Sequence, residues 1–179
     1  MFDLDKTVLV VVDVQERLWA AMYEKESLRD NTVRIVKGAK ILGVPIVWTE
    51  QNPKGLGSTL PEVAELLADS EPVTKLSFSC CGEAEFMKKL EALNRRQILL
   101  AGMESHVCVY QTVADLRNKG YEVQVVADAV SSRTPENKAV GLERSREVGA
   151  TITSTETALF ELLKVAEGDR FKQMLKIVK

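Results

Sequence analysis

The sequence predicts a doubly wound α/β sandwich, a mainly parallel six-stranded sheet with helices on both faces. Three observations point there. Five short runs rich in Val and Ile are continuously apolar rather than alternating, the pattern of strands buried on both faces. Segments of helical period stand between them, as crossovers between parallel strands require. Glycines mark the joints, at Gly43, Gly102, Gly120 and Gly149.

In chain order, Thr7–Asp13 (TVLVVVD) is the first strand and ends in an acid. Leu28–Leu42 carries Val33, Val36, Ala39 and Ile41 at roughly helical spacing, with Gly43 as its stop. Pro45–Glu50 (PIVWTE) is the second strand. Gln51–Glu71 holds Pro53, Gly55, Gly57 and Pro61 and reads as a loop with a short helix, long enough to cover a site. Pro72–Lys75 is a short strand with the weakest signal of the six. Glu83–Leu93 places Phe86, Leu90 and Leu93 on one helical face. Arg96–Ala101 is a strand closed by Gly102, and Val107–Asn118 a helix with Val109, Val113 and Leu116 inward. Tyr121–Ala127 is a strand, Asn137–Val148 a helix and Ala150–Thr153 a short strand. Thr155–Val165 and Asp169–Val178 close the chain as helices, the last presenting Phe171, Met174, Leu175, Ile177 and Val178 to a partner or to its own chain. Right-handed crossovers follow from the strand–helix alternation.

A length of 179 residues suits one domain, 1–179, and 45% hydrophobic residues suffice to bury its core without staples. The formal net charge of -2 provides no electrostatic footprint for nucleic acid or an anionic membrane. The longest apolar run, Val8 to Val12, is far too short to span a bilayer. An odd set of cysteines (Cys80, Cys81, Cys108) and an acidic N-terminus, MFDLDKTVLV, point to a reducing, cytoplasmic setting. The single histidine, His106, rules out histidine-rich zinc sites built by one chain. Chemistry therefore falls to carboxylates, lysine and cysteine, with no metal.

In an open parallel sheet, ligands bind outside the carboxyl ends of the strands. That edge collects Asp13 with Gln15, then Thr49, Glu50 and Gln51, then Lys75, then Met103 to Cys108, and Asp128. Each has an ordinary reading: an acid caps a helix, a lysine is solvated, a cysteine is a small hydrophobe. Their conjunction on one edge favours chemistry. Cys108 stands near a helix start, where unpaired N–H groups favour a thiolate, and Asp13 could take or pass its proton. Whether the two meet depends on strand order.

At these residues the sequence resembles the isochorismatase-like cysteine hydrolases, a superfamily that includes nicotinamidases and N-carbamoylsarcosine amidase. The resemblance rests on VVVDVQ (Val10–Gln15), TEQNPKGLG (Thr49–Gly57), TKLSFSC (Thr74–Cys80), LLAGMESHVCV (Leu99–Val109) and VVADAVSSR (Val125–Arg133), and is greatest to the uncharacterised isochorismatase-domain proteins. It implies a cofactor-independent hydrolase that cleaves a C–N bond of a small amide through a thioester-type intermediate. The family's triad falls on Asp13 as base, Lys75 as electrostatic support and Cys108 as nucleophile. A cis peptide falls on Met103–Glu104, with the Glu104 and Cys108 N–H groups as oxyanion hole. The resemblance also implies a homo-oligomer, at least a dimer.

The chain departs from known branches. Nicotinamidases carry Asp-x-His and further histidines at a metal beside the site; here that loop reads Thr49-Glu50-Gln51-Asn52. Isochorismatases proper lack the cysteine that this chain has. Gln15, Trp19, Glu50, Gln51, Phe78 and Met103 are candidate pocket residues; Glu50 and Gln51 read equally as turn residues, and Trp19 as a loop anchor. Ser105 is a plausible helix N-cap, which would take the Cys108 N–H from an oxyanion. His106 lies about 200° round a helix from Cys108, a poor dyad partner and a better structural residue. Asp128 with Ser131 and Ser132 reads as a strand-end turn and cap. The alternatives are a non-catalytic protein retaining the fold, an isochorismatase-type hydrolase of another small metabolite, and a nucleotide-binding protein, which the absence of a glycine-rich turn after Asp13 disfavours.

Overall fold

β-Branched side chains suit an extended pleat, and when both faces of the pleat are apolar both must be covered. In a computed structural model covering residues 1–179, this is what the runs do. The strands are β1 (Thr7–Val12), β2 (Ile46–Gln51), β3 (Val73–Lys75), β4 (Gln97–Met103), β5 (Glu122–Ser131) and β6 (Thr151–Thr153). They form one sheet in the order β3-β2-β1-β4-β5-β6, every pair parallel. The order reverses between β1 and β4, which lie side by side with Val12 opposite Gly102.

The helices are α1 (Glu16–Trp19), α2 (Lys25–Leu42), α3 (Pro53–Leu56), α4 (Pro61–Ala64), α5 (Ala84–Ala92), α6 (Tyr110–Asn118), α7 (Pro135–Glu147), α8 (Thr155–Leu163) and α9 (Gly168–Val178). Their starts have local causes. Thr134 accepts from the Asn137 N–H ahead of Pro135, and Ser154 accepts from the Thr157 N–H.

Strand β1 shows why both faces are apolar. Leu9 and Val11 join one core with Ile35, Val36 and Ala39 of α2, Leu159 of α8 and Met174 of α9. Val8, Val10 and Val12 join the other, with Phe86 and Leu90 of α5 and Val113 and Leu116 of α6. Each fully buried Leu, Val or Phe contributes roughly 1.5–3 kcal/mol over its exposed state. The C-terminal helix docks on its own chain: Met174 is buried, and Ile177 and Val178 pack against the first core.

Several elements differ from the sequence reading. β5 does not end at Asp128 but runs on to Ser131, through an irregularity that pairs Leu100 with Val125 and Gly102 with Val130. Asp128 sits within it and its Oδ1 accepts from the N–H and hydroxyl of Thr155, tying β5 to the start of α8. The helix expected from Val107 opens instead as a π turn over Ser105–Val109 before α6. α2 starts three residues early, and residues 16–19 form a short helix that periodicity does not reveal in so short a span.

Two glycines permit backbone approaches that shape the site. At Gly102 (φ +126) a Cβ would stand 2.0 Å from the Val12 carbonyl oxygen, so no other residue lets β4 come this close to β1. At Gly141 on α7, a Cβ would lie 2.4–2.6 Å from Ser105 C, Ser105 O and His106 N. Helix α7 thus rests directly on the backbone of the π turn.

Candidate active site

Asp13 follows β1 in a left-handed conformation, φ 52, which a short polar residue tolerates better than most. The turn aims its carboxylate along the strand ends, fully buried. Oδ1 accepts from the Thr49 hydroxyl at 2.7 Å. Lys75 Nζ lies 2.7 Å from Oδ2, with both side chains wholly inaccessible. The ammonium donates its hydrogen bonds to Gln51 Oε1 (2.6 Å), Phe78 O (3.1 Å) and Ser77 O (3.2 Å). Its hold on Oδ2 is a short ion pair, and Lys75 and the Cys108 thiol both draw the carboxyl group toward its charged form.

Strand order explains the convergence. Thr49 is opposite Val12, and Lys75 is opposite Gln51 on the far side of β2. Two strand spacings, roughly 10 Å, separate β3 from β1, a gap the long lysine stem spans over the end of β2. Cys108 comes from the turn after β4, the other neighbour of β1, and is 6% exposed. Burial and then the Asp13 carboxylate push its thiol up to about 12, against the smaller opposing pull of Lys75. The thiolate expected from a helix start is thus not the resting form, because a one-turn π segment offers less than burial removes. Burial also raises the Asp13 carboxyl above its usual range, despite Lys75, Thr49 and Cys108. For Lys75, burial disfavours the ammonium, but Asp13 with Cys80 and Cys108 outweighs it and holds the group above the ordinary lysine value.

The turn that carries Cys108 is clamped by the residues that follow β5. The Met103–Glu104 peptide is cis. Ser105 is not a cap: its hydroxyl pairs with Ser132 Oγ at 2.5 Å, leaving the Cys108 N–H without a competing side chain. His106 Nδ1 meets the same Ser132 hydroxyl at 2.9 Å, a structural contact. Arg133 donates through Nε to Glu104 Oε2 at 3.0 Å.

The remaining candidates divide. Gln15 is buried and splints the loop: Nε2 donates to Gln51 O and Gly57 O, and Oε1 accepts from the Gln51 N–H. Gln51 holds Lys75, while Glu50 accepts from the N–H and hydroxyl of Thr59 and serves as a turn residue. Trp19 anchors its loop by donating to Lys25 O and borders a surface cavity of about 380 Å³ with Leu60 and Pro61, which none of Asp13, Lys75 or Cys108 lines. Met103 is fully buried in the first core. Phe78 is 56% exposed and Leu76 74%, so both stand on the rim beside Lys75. The sequence places Thr49 on the ligand edge without a role at the site, and gives Cys80 none. Thr49 ends a strand at the ligand edge, a signal that was available; Cys80 is brought in only by the turn Cys80–Gly82. Cys80 and Cys81 are both free thiols. No group of three or more His, Cys, Asp or Glu is placed to hold a metal ion.

The family model for the isochorismatase domain matches residues 7–157. The secreted isochorismatase effector Isc1 of Phytophthora sojae is 42% identical over 177 residues, covering 97% of this chain and 84% of the effector. Among solved structures, the MAR1 ribonuclease of Caenorhabditis elegans superposes with a TM-score of 0.93 at 32% identity, covering 99% of this chain and 91% of that one. The YcaC gene product of Escherichia coli, described as an octameric hydrolase of unknown specificity, has the same fold, with a TM-score of 0.93 at 20% identity over 98% of this chain and 88% of its own. No helix here is long and apolar enough to cross a membrane. A doubly wound sheet whose switch point gathers an acid, a lysine and a cysteine, and a family model that spans most of the chain, lead to one conclusion: this protein belongs to the isochorismatase family.

Proposed function

We propose that this protein is a cofactor-independent cysteine hydrolase that cleaves the C–N bond of a small amide. The observation that carries the reading is the meeting of Asp13, Lys75 and Cys108 where β1 and β4 diverge. Cys108 rests as a thiol, so the reaction needs a base in contact with it. Asp13, which the Cys108 thiol faces at hydrogen-bonding distance and whose Oδ2 pairs with Lys75, takes the proton as sulfur attacks the carbonyl carbon. The developing oxyanion is received by the Glu104 and Cys108 N–H groups. Asp13 then returns the proton to the departing amine, leaving a thioester. Water adds to the thioester with Asp13 again as base, releasing the acid and restoring the thiol. Lys75 favours the charged carboxylate, so that Asp13 is ready to take a proton and gives it up again at the end of each half of the cycle.

The domain 1–179 acts as a homo-oligomer in this reading. Leu76 and Phe78 offer a second copy an apolar rim beside the site, and the three free thiols suit a reducing cytoplasm.

The test is ammonia release from a panel of small amides, with Cys108→Ala and Asp13→Asn as controls. Turnover of one panel member that both substitutions abolish is the expected result. Equal turnover by Cys108→Ala refutes the assignment.

A further inference from the structure

Behind the candidate base stands a second buried layer that the proposed reaction does not use. Thr49 Oγ1 lies 2.7 Å from Asp13 Oδ1 and 3.8 Å from Cys80 Sγ, and all three side chains are buried. A hydroxyl has one proton to give. An ionised carboxylate can only accept, so that proton goes to Asp13. The contact with Cys80 must then run the other way, with S–H donating to Thr49 Oγ1. Cys80 can do so because burial, followed by the Asp13 charge, pushes its thiol up to about 12. Its own position is set by the Cys80 N–H, which donates to Thr112 Oγ1 of α6 at 2.9 Å.

The direction of the chain is thus determined from Cys80 to Thr49 to Asp13 Oδ1. The two carboxylate oxygens become inequivalent: Oδ1 accepts from Thr49, and Oδ2 is paired with the Lys75 ammonium at 2.7 Å. We infer that Thr49 is a positioning residue for the base, its hydroxyl braced by Cys80 and engaging Oδ1 so that Oδ2 alone exchanges the thiol proton. This rests on Asp13 acting as base toward Cys108. The groups facing the carboxylate are Lys75 from β3, Cys108 from the π turn, Cys80 from the turn before α5 and Thr49 from β2.

A hydrogen bond to the charged form of an acid lowers its proton affinity, so losing the hydroxyl should raise it. The assay is the rate of Cys108 carbamidomethylation by iodoacetamide in the full chain, followed by mass spectrometry across the acid limb. Thr49→Val should move the limb upward by about one pH unit and lower the plateau, as expected for one hydrogen bond to a charge. Thr49→Ser should restore both. Cys80→Ala, which removes only the brace, should move the limb the same way by less. A Thr49→Val limb that superposes on the wild type overturns the inference, as does failure of Thr49→Ser to restore it. Should Thr49→Val not fold, an unmoved limb in Cys80→Ala overturns it equally. Asp13→Asn separates the two claims. If the acid limb persists in that variant, Asp13 is not the base; if it vanishes there while Thr49→Val leaves it in place, only the role of Thr49 fails.

Discussion

Removing the Lys75 charge should unfold a large part of the stability margin, and the size can be worked from the site. At 2.7 Å, and with an effective dielectric of about 20, the attraction between Lys75 and Asp13 is about 6 kcal/mol. Taking the two charges out of water costs several kcal/mol each, so the intact pair contributes little net stability. Lys75→Met keeps the length of the stem but leaves the Asp13 carboxylate buried without its counter-charge. The expected loss is about 3–5 kcal/mol at neutral pH, read from urea unfolding. Asp13→Asn in the same background should recover much of it, with a coupling of about 2–3 kcal/mol in the double-mutant cycle. The pH dependence has a definite sign. With Lys75 gone, the folded Asp13 carboxyl sits further above its ordinary value of 3.8. As pH rises from there, the unfolded chain gives up the proton first and stability falls, so the penalty is smallest in acid and grows toward neutrality. In the wild type, the raised Lys75 value supplies stability that is complete below 10.5 and is lost as pH rises through the folded value. A loss under about 1 kcal/mol, or additivity within about 0.5 kcal/mol, would refute the view that the two charges depend on each other.

Three further outcomes follow from single contacts. Gly141→Ala gains about 1 kcal/mol of helix propensity but drives a Cβ against the Ser105–His106 backbone, at a cost of about 1–3 kcal/mol; it should lower Tm and displace that backbone by up to about 1 Å, slowing Cys108 alkylation by as much as about 100-fold, and an unchanged rate would show that α7 does not seat the turn. Gln15→Ala strips three hydrogen bonds from the strand end and the 53–57 loop, and should cost about 1–3 kcal/mol and speed hydrogen exchange at the Gln51 amide; protection equal to the wild type would count against the splint. Burial holds the thiols of Cys80, Cys81 and Cys108 at about 12, 11 and 12, against 9.0 in the open chain. Above pH 9 the unfolded state therefore binds fewer protons than the folded one and stability falls with pH; Cys81→Ser should flatten that fall by about 1.4 kcal/mol per pH unit, and an identical slope would contradict it.

Much of this molecule was legible along the chain. Val8–Val12 has too short an apolar run for a buried helix and too continuous a one for a half-exposed strand, so a central parallel strand was the reading left. The rule that ligands gather at the carboxyl ends of such strands places Asp13, Lys75 and Cys108 on one edge, with Gln15, Thr49, Glu50, Gln51 and Asp128 beside them, and the resemblance then picks out the three. Local punctuation was less reliable. Ser105 looked like a cap because its neighbours look like a helix start, but Ser132, remote in sequence, offers its hydroxyl a buried partner. Trp19 is apolar and near Asp13 in sequence, yet Lys25 fixes its indole in a loop.

Composition, strand number and the identity of the reactive edge are short-range properties, carried by side-chain branching and hydrophobic period within a few residues. Which residues on that edge meet is set by strand order. That order comes from contacts between segments tens of residues apart, made only when both faces of the sheet are covered. Placing β1 between β2 and β4 brings Thr49 and Cys108 to either side of Asp13 and requires Lys75 to reach across β2. The same burial decides that Cys108 waits as a thiol, because desolvation of a charge exists only once the chain around it has closed.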